Sequence, residues 1–322
     1  KTAGNGIASI PAAECIFPIP LNAGGNAGRP TGIAMADFNQ DQKLDLAVSD
    51  GYSNRVHLFY QLPSSPGACP QFSIQSLVSC PKGFHIASAD FNLDGTPDLA
   101  MACNFEIAVA FNLGPAGGAA VWTTIQTLGQ ISFPRGLIAL DMDGDNLPDL
   151  VSSQGNLNPG PRWIQNAMPN PNPPLGQPQP PGYVWIGQIA VPYLGGPFGT
   201  SPFQNLASSE IVAADWNSDG LPELISTYGS YELQLFQNLN FGSFFNYPLT
   251  GTPALQRSLQ VLDMDQDQKL DVISLTSGSV NFLYGDGITG TKKTERFLTL
   301  LPNPQHLMSG DWDLDGDLDL AY

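Results

Sequence analysis

The sequence predicts an all-β fold assembled from repeated units of four short strands. Three observations support this prediction. Gly and Pro supply 34 and 29 of the 322 residues and 42% of the residues are hydrophobic, a composition typical of short strands joined by tight turns. An acidic nine-residue segment recurs along the chain. Each copy of this segment lies between two short apolar runs.

The acidic segment obeys the pattern D-x-[DN]-x-D-x-x-x-[DE] and occurs six times. The copies are DFNQDQKLD from Asp37, DFNLDGTPD from Asp90, DMDGDNLPD from Asp141, DWNSDGLPE from Asp215, DMDQDQKLD from Asp263 and DWDLDGDLD from Asp311. Successive copies start about 50 residues apart, with a longer interval after the third copy, and this period is typical of β-propeller blades. Six copies at this spacing indicate a repeat protein.

The apolar runs around each copy predict the four strands of a blade. GIAMA and LAVS flank the first copy, VHLFY follows as a third run and QFSIQ as a fourth, and the later copies have similar runs. We therefore expect the nonapeptide to be the loop between the first and second strands of each blade. All of these loops, numbered one to six along the chain, then lie on one face of a β-propeller.

Residues 1–322 are predicted to form a single propeller domain of six blades, with seven blades as the alternative. The last copy is followed by only one apolar run, so we expect the N-terminal runs GIASI and CIFPIPL to complete the last blade. Such closure leaves no free sheet edge. The Pro-rich segment 168–182 explains the long interval after the third copy as a surface insertion in blade three.

Each loop offers oxygen atoms at positions 1, 3, 5, 7 and 9, which suits a hard cation of the size of Ca²⁺. We expect up to six bound Ca²⁺ ions, held by side chains at positions 1, 3, 5 and 9 and by the backbone carbonyl at position 7. The loops hold 22 of the 29 acidic residues of a chain with a formal net charge of −17, so their carboxylates repel one another unless a cation is present. The predicted metal ligands are Asp37, Asn39, Asp41, Lys43, Asp45, Asp90, Asn92, Asp94, Thr96, Asp98, Asp141, Asp143, Asp145, Leu147, Asp149, Asp215, Asn217, Asp219, Leu221, Glu223, Asp263, Asp265, Asp267, Lys269, Asp271, Asp311, Asp313, Asp315, Asp317 and Asp319.

Position 6 differs between the loops. Loops two, four and six have glycine there, which permits a tight turn with positive φ. Loops one, three and five carry Gln42, Asn146 and Gln268 instead. Because Asn adopts the left-handed region more readily than Gln, we expect loops one and five to bind calcium most weakly.

The D-x-[DN]-x-D-G-x-x-D loop between two strands resembles the FG-GAP/VCBS repeats of integrin α-chain propellers and of many bacterial surface proteins. The resemblance covers essentially the whole chain. It implies that the loop carboxylates bind structural calcium. It also implies an adhesion or ligand-binding module in an extracellular, cell-surface or periplasmic location. Ligands of that family usually bind the face opposite the calcium loops.

Six cationic residues precede the loops, near the expected starts of the first strands. They predict a cationic ring at the mouth of the central channel, on the face away from the loops. Such a ring favours an anionic ligand, either an acidic glycan or a protein. Scattered surface charges are the alternative. The six residues are Arg29, Lys82, His85, Arg135, Arg257 and His306.

The charge balance and the motifs limit the other functions. With only 12 Lys and Arg, the acidic chain disfavours nucleic acid as a partner, and no apolar run is long enough for insertion into a membrane. A glycan lyase or hydrolase is the alternative function, with Asp50, Glu106 or Glu210 as the acid and His85 or His306 as the base. No catalytic motif occurs, so we predict a binding module rather than an enzyme, compatible with a larger surface assembly.

The four cysteines predict two structural disulfides, since none forms a CxxC motif. Cys80 precedes the first strand and Cys103 follows the second strand of the same blade, so we expect these two residues to pair. Cys15 and Cys69 begin neighbouring outer strands and form the second predicted pair.

Overall fold

The computed structural model describes residues 28–51, 53–64, 69–78, 85–123, 125–130, 134–154, 161–167, 184–190, 210–228, 232–239, 244–249, 258–276, 278–288, 290–298, 307–310 and 319–321. Every regular element within these ranges is a β-strand. The described residues include no helix long and apolar enough to cross a membrane. The all-β prediction is confirmed.

Five sheets each contain four strands, and every neighbouring pair of strands in them is antiparallel. Sheet one has β1 (Pro30–Ala36), β2 (Asp45–Asp50), β3 (Arg55–Leu62) and β4 (Gln71–Val78). Sheet two has β5 (His85–Ala89), β6 (Asp98–Ala102) and β7 (Glu106–Ala110), then a separate hairpin of β8 (Asn112–Ala116) and β9 (Ala119–Trp122), and lastly β10 (Gln126–Gln130).

The next three sheets follow the same order without an added hairpin. Sheet three has β11 (Pro134–Leu140), β12 (Asp149–Gln154), β13 (Arg162–Ala167) and β14 (Val184–Ala190). Sheet four has β15 (Ile211–Ala214), β16 (Glu223–Tyr228), β17 (Glu232–Asn238) and β18 (Phe244–Leu249). Sheet five has β19 (Ser258–Leu262), β20 (Asp271–Leu275), β21 (Ser279–Gly285) and β22 (Thr291–Leu298), and a sixth sheet pairs β23 (Met308–Gly310) with β24 (Asp319–Ala321).

Each nonapeptide is the connection between the first and second strands of its sheet, as the sequence predicts. The last residue of the first strand pairs with position 9 of the nonapeptide in every case. The pairs are Ala36 with Asp45, Ala89 with Asp98, Leu140 with Asp149, Ala214 with Glu223, Leu262 with Asp271 and Gly310 with Asp319. The acidic loops therefore occupy equivalent places in the repeat.

Successive sheets pack face to face through apolar side chains. Val56 and Leu58 of sheet one pack with Ile86 and Met101 of sheet two, and four further clusters join each later sheet to the next one. Because side chains alternate between the two faces of a strand, each inner sheet presents apolar residues to both of its neighbours. The first strands β1, β5, β11, β15 and β19 lie beside one another in chain order. This arrangement is β-propeller-like.

The β8–β9 hairpin is an addition to the four-stranded unit that the sequence analysis did not predict. It lies against sheet one, where the backbone N–H of Ala120 donates to the hydroxyl of Tyr60 at 3.1 Å and the ring of Trp122 lies 5.8 Å from that of Phe38. The signal for it was the Gly-Gly dipeptide between two apolar runs, because both glycines adopt positive φ in the turn.

Several predictions fall on residues outside the described ranges. They concern the closure by residues 1–27, the Pro-rich insertion 168–182 and most of the last blade, so the blade number also stays a prediction. Cys69 and Cys103 are not free thiols. Their expected partners, Cys15 and Cys80, lie outside the described residues, so both disulfide pairings remain predictions.

Candidate metal centre

Loops one to five lie at equivalent ends of their sheets, because each connects a first strand to a second strand. Loop six lies outside the described residues except for Asp319, which begins β24. The five described loops can therefore be compared position by position, from position 1 to position 9.

The aspartate at position 1 accepts hydrogen bonds from the backbone N–H groups of positions 5 and 6 of its own loop. In loop two the backbone nitrogens of Asp94 and Gly95, at positions 5 and 6, lie 3.0 and 2.8 Å from the two carboxylate oxygens of Asp90. The corresponding distances in the other four loops lie between 2.7 and 3.2 Å. These bonds hold the first carboxylate over the turn.

The side chains at positions 3 and 5 are held in a similar way. The position 5 carboxylate accepts the backbone N–H of position 7 at 2.8 to 3.0 Å in all five loops. In loops one to four, the position 3 oxygen accepts the N–H of position 5 at 3.0 to 3.3 Å. A carboxylate or amide oxygen has two lone pairs, so an oxygen with one such bond can still bind a cation.

The backbone reverses at two positions in every described loop. Position 6 has positive φ throughout, including 68° at Gln42, 67° at Asn146 and 67° at Gln268. Position 4 also has positive φ in all five loops, which the sequence analysis did not predict. Loops one and five therefore have the same backbone turn as the glycine-containing loops. The low preference of glutamine for positive φ does not change the shape of these loops.

The acid at position 9 has a different environment from the others. One oxygen of Asp98 accepts the backbone N–H of Phe91 at 3.0 Å and the other accepts that of Asn112 at 2.7 Å, so this carboxylate joins the loop to the residues that follow the third strand, β7. The other four loops repeat both bonds. The position 9 acids are at most 1% exposed: Asp45, Asp98, Asp149, Glu223 and Asp271.

Burial makes the ionised form of these acids costly. Desolvation raises the pKa of Asp98, Asp149 and Glu223 to about 7, against the opposing effect of their backbone N–H donors. The pKa values of Asp45 and Asp271 are raised for the same reason. A cation beside these carboxylates offsets that cost.

Two loops bring three carboxylates into one small group. In loop three, oxygen atoms of Asp141, Asp143 and Asp149 lie within 4.8 Å of one another. In loop five the same holds for Asp263, Asp265 and Asp267. A single metal ion can contact all three acids of either group. Loops one, two and four have asparagine at position 3, whose amide oxygen is also a hard ligand, so the donor set suits a hard cation.

An ammonium group contacts the carboxylates of two loops. In loop one, Lys43 Nζ lies 2.8 Å from Asp41 Oδ2. In loop five, Lys292 Nζ lies 3.3 Å from Asp265 Oδ2 and also contacts Asp267. These lysines lower the pKa values of Asp41 and Asp267. Within the described ranges, no lysine or arginine forms an ion pair with loops two, three or four.

Three buried asparagines connect neighbouring blades next to the loops. Asn166, at the end of the third strand of sheet three, donates from Nδ2 to the carbonyl of Phe91 in loop two at 2.8 Å. Asn112 and Asn238 make the same bond to Phe38 and Met142 of their preceding loops, at 2.8 and 2.7 Å. We call these three residues the asparagine latches.

The sequence analysis missed the latches. Their signal is an asparagine that follows the third apolar run, as in AFNLG, WIQNA and FQNLN. Each latch also donates to the carbonyl of the proline at position 8 of its own loop, at 3.2 to 3.3 Å. Loops two, three and four carry that proline.

The predicted cationic ring is described in part. Arg29 is exposed and precedes β1, His85 begins β5, and Arg135 is the second residue of β11. All three lie where first strands start, at the end away from the acidic loops. Three members lie outside the described residues: Lys82, Arg257 and His306. The ring and its ligand remain predictions.

Comparison with known proteins agrees with this geometry. The FG-GAP-like repeat family matches residues 37–101, 90–152, 215–274 and 263–322, which together make up more than half of the chain. Each match begins at position 1 of an acidic loop. No curated protein sequence matches the chain.

Two solved structures show the same kind of fold. One is an Agrocybe aegerita lectin that recognises non-reducing terminal N-acetylglucosamine, with a TM-score of 0.51 and 14% identity over 82% of this chain and 65% of the lectin. The other is the V. cholerae biofilm matrix protein Bap1, with a TM-score of 0.50 and 14% identity over 90% of this chain and 43% of Bap1. This chain thus spans less than two thirds of either protein. From the matched repeats, the chain belongs to the FG-GAP-like repeat family.

Proposed function

We propose that the acidic loops bind calcium, up to six ions, and that the metal-loaded propeller serves as a ligand-binding or adhesion module outside the cytoplasm. One observation carries the calcium proposal: five loops hold their carboxylates in the same backbone frame, at positions 1, 5 and 9. Oxygen atoms at positions 1, 3, 5, 7 and 9 would hold each ion.

The charge of the chain supports the same proposal. Acidic residues are concentrated in the loops, where the position 9 carboxylates are buried and the position 1 and 5 carboxylates lie nearby. Six divalent cations would change the net charge from −17 to about −5, an ordinary value for a domain of this size. Bound calcium supplies positive charge that joins carboxylates brought together only by folding, so metal binding stabilises the fold.

We also propose that the ring has six blades and is closed by the N-terminal strands. The face of sheet one that points away from sheet two supports closure. His57 and Phe59 alternate along β3 with the residues that pack on sheet two, so they lie on the opposite face. They are nevertheless only 2% and 3% exposed. A further layer must cover them, and a sixth blade would supply it.

The ligand site proposed for this module is the end away from the acidic loops, where Arg29, His85 and Arg135 begin or precede first strands. An anionic glycan or protein suits this charge. Similar folds occur in the lectin that recognises N-acetylglucosamine and in the biofilm matrix protein. At 14% identity they show the fold alone, and the ligand of this chain is a proposal.

One of the acids considered for the alternative enzyme function is not accessible to a ligand. Asp50, one of the acids considered for a glycan lyase or hydrolase, is 0% exposed, and its Oδ1 accepts the backbone N–H of Arg29 at 2.8 Å. A buried carboxylate that fixes the start of β1 cannot contact a glycan in solution. Glu106 and Glu210 remain the candidate acids of the alternative enzyme function.

The calcium proposal is tested by metal analysis and thermal melting of the metal-stripped chain. Saturation to 100-fold above the dissociation constant of a site adds about 2.7 kcal/mol of stability for that site. The melting temperature should fall in EDTA and recover in Ca²⁺. Asp94→Ala should remove one ion, whereas Glu106→Ala, a matched change outside the loops, should remove none. An unchanged melt in EDTA with no bound metal contradicts the proposal.

The ligand proposal is tested with a glycan array and an array of acidic peptides, in Ca²⁺ and in EDTA. Binding without release of fragments supports a lectin or adhesin. Release of shortened glycans would instead show the alternative enzyme function.

A further inference from the structure

The cation nearest to loop five comes from a distant part of the chain. Lys292 is the second residue of β22, the outermost strand of sheet five. Its ammonium lies 3.3 Å from Asp265 Oδ2 and contacts Asp267, so it pairs with positions 3 and 5 of the loop. These are two of the three acids whose oxygens lie close enough to share one metal ion.

Lysine at position 7 does not explain this contact, although loops one and five share the tail QDQKLD. In loop one, Lys43 at position 7 pairs with Asp41 of its own loop. In loop five, the corresponding Lys269 donates instead to the backbone carbonyl of Asp286 at 2.9 Å, in the turn that leads to β22. Lys292, rather than Lys269, therefore pairs with the carboxylates of loop five.

The backbone of loop five has positive φ at positions 4 and 6, as the backbone of loop three does. Gln268 has φ of 67°, the same as Asn146 in loop three, and the position 1 carboxylate of each loop accepts N–H bonds from positions 5 and 6. Loops three and five each hold three clustered acids. They differ in the third acid, which is Asp149 in loop three and Asp267 in loop five, and in the ammonium, since loop three forms no lysine or arginine ion pair within the described ranges.

We infer that Lys292 is an internal counter-ion that competes with calcium for loop five and sets its affinity. The inference rests on the proposed function. A calcium ion bound at Asp265 and Asp267 must displace the ammonium or bind beside it, and two cations a few ångströms apart repel. Lys292 is partly exposed and can swing aside, which reduces this repulsion. From Coulomb interactions at about 4 Å in water, we expect roughly a tenfold weaker affinity than without the lysine.

The same contact has a second consequence when metal is absent. The ammonium partly neutralises the carboxylates of loop five, so this loop needs calcium less than loop three does. Removing Lys292 should therefore make the stability of the whole chain depend more strongly on calcium.

The test compares Lys292→Gln with Lys293→Gln in the full chain. Lys293 is the matched control, because it lies on the same strand and carries the same charge, yet its ammonium pairs with Glu295, lies over the ring of Tyr284 and forms no ion pair with the described residues of loop five. Calcium binding to the metal-stripped proteins is measured by isothermal titration calorimetry. Lys292→Gln should tighten one class of site by roughly tenfold, whereas Lys293→Gln should change affinity by less than about twofold.

Two further variants assign the effect to loop five. Lys292→Arg keeps the charge and should keep the weak site. Adding Asp265→Ala to Lys292→Gln should abolish the gain. In EDTA, Lys292→Gln should also lower the melting temperature more than Lys293→Gln does.

Different results would overturn this inference and the proposed function. If the unaltered chain binds calcium but the two glutamine variants have equal affinities, Lys292 does not compete and only this inference fails. A loss of affinity in Lys292→Gln would show that the lysine supports the site, which also overturns the inference. If no variant binds calcium, the proposed function itself fails.

Discussion

The asparagine latch at Asn166 provides the most direct test of how neighbouring blades are held together. Asn166→Ala removes the bonds from Nδ2 to the carbonyls of Phe91 and Pro148, at 2.8 and 3.2 Å, from a side chain that is fully buried. A lost hydrogen bond costs about 1 kcal/mol net, and a buried acceptor left unpaired costs about 1 to 3 kcal/mol.

A compensating effect reduces this cost. Asn166 Oδ1 is buried without a hydrogen-bond partner among the described residues, so truncation also removes an unsatisfied oxygen. We therefore expect the free energy of unfolding to fall by about 2 to 3 kcal/mol. Asn112→Ala should cost at least as much, since Asn112 Oδ1 also accepts the N–H of Gly114 at 3.1 Å.

Urea unfolding followed by tryptophan fluorescence measures these changes, and it should be done both in EDTA and in saturating Ca²⁺. The latch contains no metal ligand, so the loss should be of similar size in both conditions. Asn104→Ala, in the partly exposed turn between β6 and β7, is the control and should change stability by less than about 0.5 kcal/mol. If Asn166→Ala costs no more than this control, the latches do not join the blades.

Three other predictions follow from the structure. Gly285→Ala should destabilise the chain severely, because an added Cβ would lie 2.1 Å from the carbonyl oxygen of Leu270. In Gly95→Ala the added Cβ meets no atom within 4 Å, so this change should cost only about 1 kcal/mol for its φ of 87°. Thermal melting of both variants checks this contrast, and equal melting temperatures would contradict it. Burial raises the pKa of Glu210 from 4.5 to about 7, so this group binds more protons in the folded chain than in the unfolded chain between these values, and its contribution to stability should fall by at most about 3 kcal/mol as pH rises through them. Burial raises the pKa values of Asp98, Asp149 and Glu223 in the same way, so Glu210→Gln should reduce the slope of melts taken from about pH 4 to 8 without abolishing it, and an unaltered slope would contradict this prediction. Changing Arg29 and Arg135 together to Gln should weaken the binding of an acidic ligand and reduce the salt dependence of that binding, while calcium affinity stays constant. Titrations at several salt concentrations measure these effects. Unfolding of this variant would show that the arginines are structural.

Much of the fold and of the candidate site could be predicted from local sequence. The nonapeptide at Asp90 places its acids at fixed offsets, and the N–H groups that orient them lie within five residues of position 1. The flanking runs alternate as strands do, so the connection between β5 and β6 was predictable. These features depend on residues that are close in the chain, where spacing determines geometry.

The separate role of position 9 was harder to predict. Asp98 has the same residue type as the other acids in the motif, yet it is fully buried and accepts a hydrogen bond from the backbone of Asn112, just after the third strand. Its environment arises only when the third strand pairs with the second. Sequence spacing gives the residue type, but burial and the resulting pKa require the sheet.

By itself, the sequence determined the repeat, the strand order within a blade and the residues able to bind a hard cation, because all of these depend on contacts within a few residues or on strand periodicity. Only the tertiary structure decided which blades are latched by Asn166 and its equivalents, and that Lys292 rather than Lys269 pairs with Asp265. These partners lie on different strands or different sheets. Their approach depends on how strands pair and how sheets stack, and no local pattern in the chain encodes those distances.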